Sequence, residues 1–362
     1  MHADAPSPAD TPAFRAREFA PGWGAAVMGT GVLSVIFRAL AADGILAPAT
    51  SVLALVFFWL VVVIAIPILG TTAWRWVRYP SIAWAELAHP VKGGMAATFP
   101  GGMLVLAVVF GRTGQDAIGP ALATPIALVL TGIGGVLALA LGVAYLSGIF
   151  ARGDVAPPLI TGALFIPPVV TIIIPTALAP FLVGDTPLHR ELLWLSWALL
   201  GIGAVLYVVI VAALFARSTT APLPPAMLAP SLFIGMGPAG LLGLNTELLA
   251  EAGARLGVTD TALVSVAQAA GLMMWGFGLW WGITAVVVVR RGYPKIPFAL
   301  SWWGYTFPLG AWVVSGLVLG SAVESVLVRT AGLVGAAVLL VVWTVVAART
   351  LVEIRSGRIW AA

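Results

Sequence analysis

Charged residues along this chain are bunched, and long apolar blocks separate them. Ten stretches of 19 residues or more hold no Asp, Glu, Lys or Arg: 19–37, 44–74, 93–111, 117–151, 155–184, 192–216, 218–246, 261–289, 296–323 and 330–348. A helix crosses a bilayer core with about 20 apolar residues, so each stretch predicts one transmembrane helix. The short alternating segments that membrane β-strands require are missing. The expected fold is an all-α polytopic membrane protein of ten helices. Residues 1–18 are rich in Pro and Asp, without the apolar core of a signal peptide. They read as a disordered cytoplasmic tail ahead of a single transmembrane domain over 19–362.

The basic residues give an orientation. With the N-terminus inside, 13 of the 18 Lys and Arg residues fall in one set of loops. The other five, Arg38, Arg112, Arg190, Arg255 and Arg329, fall one to each opposite loop. The positive-inside rule then places both termini in the cytoplasm, with the chain in the cell or inner membrane.

Composition narrows the classes. Of 362 residues, 61% are hydrophobic and 9% charged, and the mean hydropathy is +1.07. A soluble domain could not cover its surface with so few charges. A net charge of +4 without a basic, aromatic-interleaved cluster argues against a nucleic-acid partner. Cysteine is absent, and only His2, His89 and His189 are present. No metal site and no cofactor are therefore expected.

A repeat runs through the chain. Pro100, Pro168, Pro238 and Pro308 lie at intervals of 68, 70 and 70, and one more step back reaches Thr30 in Met28-Gly29-Thr30-Gly31. The marked position always falls on an odd-numbered helix, so each unit is a helical hairpin. Proline removes a backbone donor and frees the carbonyl four residues earlier, here those of Ala96, Leu164, Ile234 and Gly304. The expectation is five odd helices, each broken near its middle, ringing a central pathway. Such breaks survive at membrane depth when they are buried in protein or line a cavity. The even helices, with runs such as 338–346, would face lipid.

The chemistry of that pathway favours an anion. No segment interior contains Asp, Glu, His or Cys, so neither an intramembrane catalytic site nor a cation pump with a buried carboxylate is expected. Half-helix N-termini carry partial positive charge and spare N–H groups. Candidate lining groups near the breaks are Thr30, Ser34, Thr98, Thr161, Thr171, Ser231, Asn245, Ser301 and Thr306, with Phe99, Phe165 and Phe233 as narrowing side chains. Lys92, beside His89 and Pro90, is the candidate for the cytoplasmic mouth, and Arg38 stands at the outer end of the first helix. Glu247 is expected to be solvated at a loop.

Several motifs resemble the tellurite-resistance/dicarboxylate transporter family. They are Phe19-Ala20-Pro21-Gly22-Trp23 with Val27-Met28-Gly29-Thr30-Gly31, His89-Pro90-Val91-Lys92 with Thr98-Phe99-Pro100, and Leu164-Phe165-Ile166-Pro167-Pro168-Val169. Leu228-Ala229-Pro230-Ser231 with Gly237-Pro238-Ala239-Gly240, and Trp302-Trp303-Gly304-Tyr305-Thr306-Phe307-Pro308, complete the set. That family includes yeast malate carriers, fungal sulfite exporters and the slow anion channels of plant guard cells. The resemblance implies five hairpins in quasi-five-fold arrangement around a central pore. It also implies a homotrimer with one pore per chain. In the channel members a phenylalanine on the ninth helix plugs the pore, and the matching residue here is Phe307. The expected function is membrane transport of small anions, C4-dicarboxylates such as malate first. The alternative is passive flow or export of chloride, nitrate or sulfite. The expected partners are the small anion and the lipid bilayer.

Overall fold

Proline and glycine decide where each inner helix starts. In the computed structural model, which describes residues 16–153 and 155–360, the third span opens as Pro90–Ala96 and restarts as Thr98–Ala117. The fifth passes from a 3-10 turn, Gly162–Phe165, into the α-helix Ile166–Leu178. The seventh changes from Ala226–Gly235 to Met236–Arg255, and the ninth from Leu300–Tyr305 to Thr306–Ala322. Pro100, Pro168, Pro238 and Pro308 are each the third residue of the α-helical part. This corrects the expected mid-helix kink. The break precedes the proline and lies in the first third of the span. In a first turn a proline costs nothing, because that N–H has no intrahelical acceptor. The first span has no break at Thr30, being continuous over Gly24–Ala42 after the turn Pro21–Trp23.

Ten helices among the described residues are long and apolar enough to cross a membrane. They are Pro21–Ala42, Ala47–Arg78, Pro90–Ala117, Pro120–Arg152, Gly162–Phe181, Pro187–Thr220, Ala226–Arg255, Thr261–Gly292, Leu300–Ala322 and Val326–Arg355, called the first to tenth spans below. The structure is all-helical, with no strand among the described residues. Of the expected tail, residues 1–15 lie outside the described residues.

Burial alternates along the chain. The apolar windows of the odd spans are 67%, 78%, 94%, 78% and 72% buried, against 33%, 28%, 33%, 28% and 28% for the even spans. Exposed Val63, Ile66, Val136, Val205, Val208, Ile283 and Val341 all lie on even spans, a surface suited to hydrocarbon. Each odd span packs on the even span that follows it, giving the five expected hairpins. The odd spans also pack on one another in a closed cycle: first on third, third on fifth, fifth on seventh, seventh on ninth, ninth on first.

Close backbone approach holds this cycle tight. A Cβ added at Gly24 would lie 2.1 Å from the Thr98 carbonyl oxygen, and one at Gly162 1.8 Å from that of Ser231. No side chain fits either place. Each glycine marks an inner span resting its opening turn on the backbone of the next.

Candidate functional site

The closed cycle encloses two small cavities on its axis, each about 40 Å³. Both are lined from all five odd spans. Nearer the N-terminal ends of these spans lie Ala25 and Met28, Thr98, Ile166 and Val169, Ile234 and Gly237, and Gly304 with Pro308. Beyond them lie Val32 and Val35, Val105 and Val108, Ile173 and Thr176, Leu241 and Leu244, and Ala311 with Val314. The spacing of three and four residues marks one face of each helix. Phe307 borders both cavities. It is 7% exposed, and its ring is the side chain shared between them. Each cavity has room for about one water molecule, so the axis is occluded in this conformation.

The electrostatics of the near cavity come from backbone. The α-helical parts of the five inner spans start at Gly24, Thr98, Ile166, Met236 and Thr306, next to residues that line it. None has an acidic residue in its first turn or a side-chain cap. Five helix starts thus surround one apolar chamber, their dipoles favouring negative charge, with the opening N–H groups of Gly24, Ile166, Met236 and Thr306 bonded to the turn before them.

Most of the hydroxyls expected on the axis are elsewhere. Thr30 accepts the indole N–H of Trp343 at 3.0 Å and lines an outer cleft beside Leu60 and Ile64. Ser34 Oγ lies 3.0 Å from both Ala54 O, to which it can donate, and Thr113 Oγ1, tying the first span to the second and third. Ser301 bonds Met227 O, and Thr306 bonds Trp303 O at 2.8 Å. Of the expected hydroxyl residues, Thr98 does line the near cavity, with its hydroxyl donated to Pro21 O at 3.0 Å. Ser231 Oγ has no hydrogen-bond partner among the described residues, while for Ser34, Thr98, Ser301 and Thr306 the reason is the same. A Ser or Thr in an apolar helix bonds the nearest free carbonyl, and that carbonyl belongs to a neighbouring turn or span.

Three expected phenylalanines are also off the axis. Phe165 is fully buried against Tyr207 and Trp281. Phe233 packs edge-on to Tyr305 in a groove between the seventh to tenth spans. Phe99, half-buried, borders neither central cavity. Lys92 is exposed and pairs with Glu86 Oε1 at 3.5 Å, and Glu86 also holds buried Arg75 at 2.7 Å. This trio fastens the short helix Pro80–Leu87 to the bundle. His89 caps the third span, its Nδ1 accepting from Val91 N and Lys92 N. Burial, then the charges of Lys92 and Arg152, hold its pKa below the ordinary value.

Two residues at the far end were not singled out as lining groups. Arg112 follows Val108 by one helical turn and so continues the axial face of the third span. Of the five far-end arginines, Arg38 pairs with Asp116, Arg190 with Asp185, Arg255 with Glu251 and Arg329 with Asp43. Arg112 has no salt bridge among the described residues and is exposed. Glu247, expected in solvent, is fully buried. The charge-free rule ends the seventh helix at 246, whereas the span runs on to Arg255. The expectation of no buried carboxylate is overturned by this residue.

Comparison with known proteins supplies the family. Residues 18–351 match the SLAC1 family, described as voltage-dependent anion channel. Two uncharacterized transporters of Methanocaldococcus jannaschii are 29% and 30% identical, each over 83% of this chain and 83% and 84% of their own. A sulfite efflux pump of Trichophyton rubrum is 26% identical over 92% of this chain and 90% of its own. The chain is thus a multi-pass membrane protein, and it belongs to the SLAC1 family of anion channels and transporters.

Proposed function

We propose that the five odd spans form a quasi-five-fold ring around one anion path, and that Phe307 is its gate. The observation that carries this reading is the position of Phe307 between two axial cavities lined by every inner span. A benzyl group in a narrow apolar passage blocks it sterically and by dewetting. Anions gain from the five helix N-termini on the near side and, on the far side, from the guanidinium of Arg112, which has no salt bridge among the described residues. Weak, multi-site attraction of this kind lets an ion enter and leave.

A small inorganic oxyanion of the sulfite class fits best. A relative aligned over most of both chains is a sulfite efflux pump, and the axial lining offers no pair of cationic groups to grip two carboxylates. C4-dicarboxylates such as malate are the second reading, carried by the motif resemblance. The near end, where the basic loops gather, faces the cytoplasm in this reading. Residues 19–362 form one transporting domain in the cell or inner membrane, and three chains assemble with one path each.

The test is purified protein in liposomes, offered sulfite, nitrate, chloride and malate in turn while uptake and membrane potential are recorded. Electrogenic flux of the inorganic anions with little malate uptake supports this reading. Malate uptake alone, saturable and charge-compensated, contradicts it.

A further inference from the structure

The path described above leaves one buried carboxylate among the described residues unused. Glu247 lies on the α-helix Met236–Arg255, three residues after Leu244, which lines the far cavity. Its side chain is fully buried. Oε1 accepts from Gln268 Nε2 at 3.3 Å, and Oε2 has no hydrogen-bond partner among the described residues. Buried polar atoms are satisfied almost everywhere in native proteins, so an orphan of this kind calls for an occupant.

The surroundings supply no cation. On its own helix, Glu251 stands one turn on, with its carboxyl group within hydrogen-bonding reach of Glu247 as a second negative charge, and it is held by Arg255 at 3.6 Å. The eighth span brings the neutral Gln268. The ninth brings Ser315, fully buried, whose hydroxyl is also without a partner. Ser315 Oγ lies 3.0 Å from where a Cβ at Gly243 would be, one turn before Glu247. From the third span comes Arg112, which feels the charges of Arg38, Arg255 and Glu251. On the sixth, Arg190 is taken by Asp185 at the surface. The fifth contributes Thr176, already bonded to Asn245. A carboxylate in an apolar interior without a cation beside it is costly, and a proton on one oxygen removes that cost.

We propose that Glu247 is a proton-binding site whose protonation admits anions to the path and whose deprotonation repels them. This rests on the anion-path reading above. A proton from water at the far mouth forms an O–H bond at Oε2 and neutralises the site. An anion then enters the far cavity without facing a negative charge. When the carboxyl returns the proton to water, the negative charge is restored and the anion is repelled. Acidification on the far side therefore speeds transport.

Two measurements on the full chain decide it, with Glu247→Gln compared against wild type after both pass gel filtration and melting controls. The first is nitrate flux in liposomes against external pH, nitrate being chosen because it carries no proton itself. Wild-type flux should rise by up to about tenfold per pH unit on acidification, the limit for a single titrating group, while E247Q changes less than about twofold. The second is an infrared pH titration, in which the wild type should show one protonated-carboxyl signal more than E247Q in the difference between the two. An E247Q flux profile like the wild type's, or carboxyl titrations that coincide in the two proteins, overturns the proposal. A wild-type pH profile that flattens when choline replaces sodium overturns it in favour of a sodium site. If wild-type protein carries no nitrate, the anion path fails for this ion, and the infrared band alone decides whether Glu247 binds a proton.

Discussion

The indole N–H of Trp343 donates to Thr30 Oγ1 at 3.0 Å. This bond pins the last span to the first, across the join where the two ends of the chain meet. It also accounts for Thr30 lying away from the axis although it occupies the proline position of the first repeat. Trp343 in turn packs edge-on to Phe57, so the first, second and tenth spans share one aromatic seam. The inner ring is closed by the ninth span packing on the first, and the tenth clamps that junction from outside.

Thr30→Val keeps the side-chain volume and removes the acceptor. The expected result is a loss of about 1 kcal/mol of stability, the usual net value of a buried hydrogen bond, with anion flux unchanged. Thermal unfolding in detergent reads the first quantity and liposome flux the second. A large change in flux with unchanged melting would return Thr30 to the path.

Arg112 and Arg38 make a controlled pair. Both sit at far ends of inner spans, but Arg38 is already bound to Asp116. Arg112→Gln should raise the half-saturating anion concentration applied from the far side by about fivefold at low salt, the scale of a single charge at a wet protein surface. The effect should shrink as ionic strength rises. Arg38→Gln should do much less. Equal effects of the two variants would remove Arg112 from the entry route.

His89 gives a pH signature separate from Glu247. Its Nδ1 accepts two backbone N–H groups, which only the unprotonated nitrogen can do. Its pKa is lowered from 6.5, first by burial and then by Lys92 and Arg152. Below 6.5 the unfolded chain therefore binds the proton more readily than the folded one. The stabilisation is complete above 6.5 and is lost as pH falls from there through the lower folded-state value. His89→Asn keeps a capping side chain without that titration. Melting temperature against pH should show a step in the wild type that is smaller in H89N.

Gly24 and Gly162 set the tightness of the ring. Gly162→Ala puts a methyl where the Ser231 carbonyl oxygen already stands, and Gly24→Ala does the same at Thr98. Each should cost about 1–3 kcal/mol, as overpacking does in dense interiors. Gly142→Ala, where a Cβ meets nothing, should be neutral or slightly stabilising, since alanine is the better helix former. Melting of the three variants in detergent separates close approach from a general intolerance of glycine replacement.

Much of this architecture is legible in the sequence. Apolar blocks bounded by charge give ten helices because hydrocarbon admits little else. The 70-residue spacing of Pro100, Pro168, Pro238 and Pro308 gives the hairpins, because the same turn-to-helix transition recurs in four of the inner spans. What a proline cannot reveal is whether it kinks a helix or begins one. Its fixed φ suits both, and only the turn before it decides. Hydroxyl residues mislead for a related reason. Ser34 and Thr30 satisfy themselves on adjacent spans, and one chain's pattern does not tell which face looks inward. The charge-free rule hides Glu247 and Arg112. It cuts the helices at the residues where their buried and axial faces become chemically distinctive.

The central claim is that Phe307 closes an anion path, and one measurement bears on it most directly. Phe307→Ala is compared with wild type in liposomes by anion flux and membrane potential, at matched protein content and melting temperature. Removing the ring joins the two cavities that it borders. The account predicts electrogenic flux raised by about tenfold or more, as expected when a dewetted constriction opens. Flux unchanged from the wild type, in protein that melts normally, would contradict the gate.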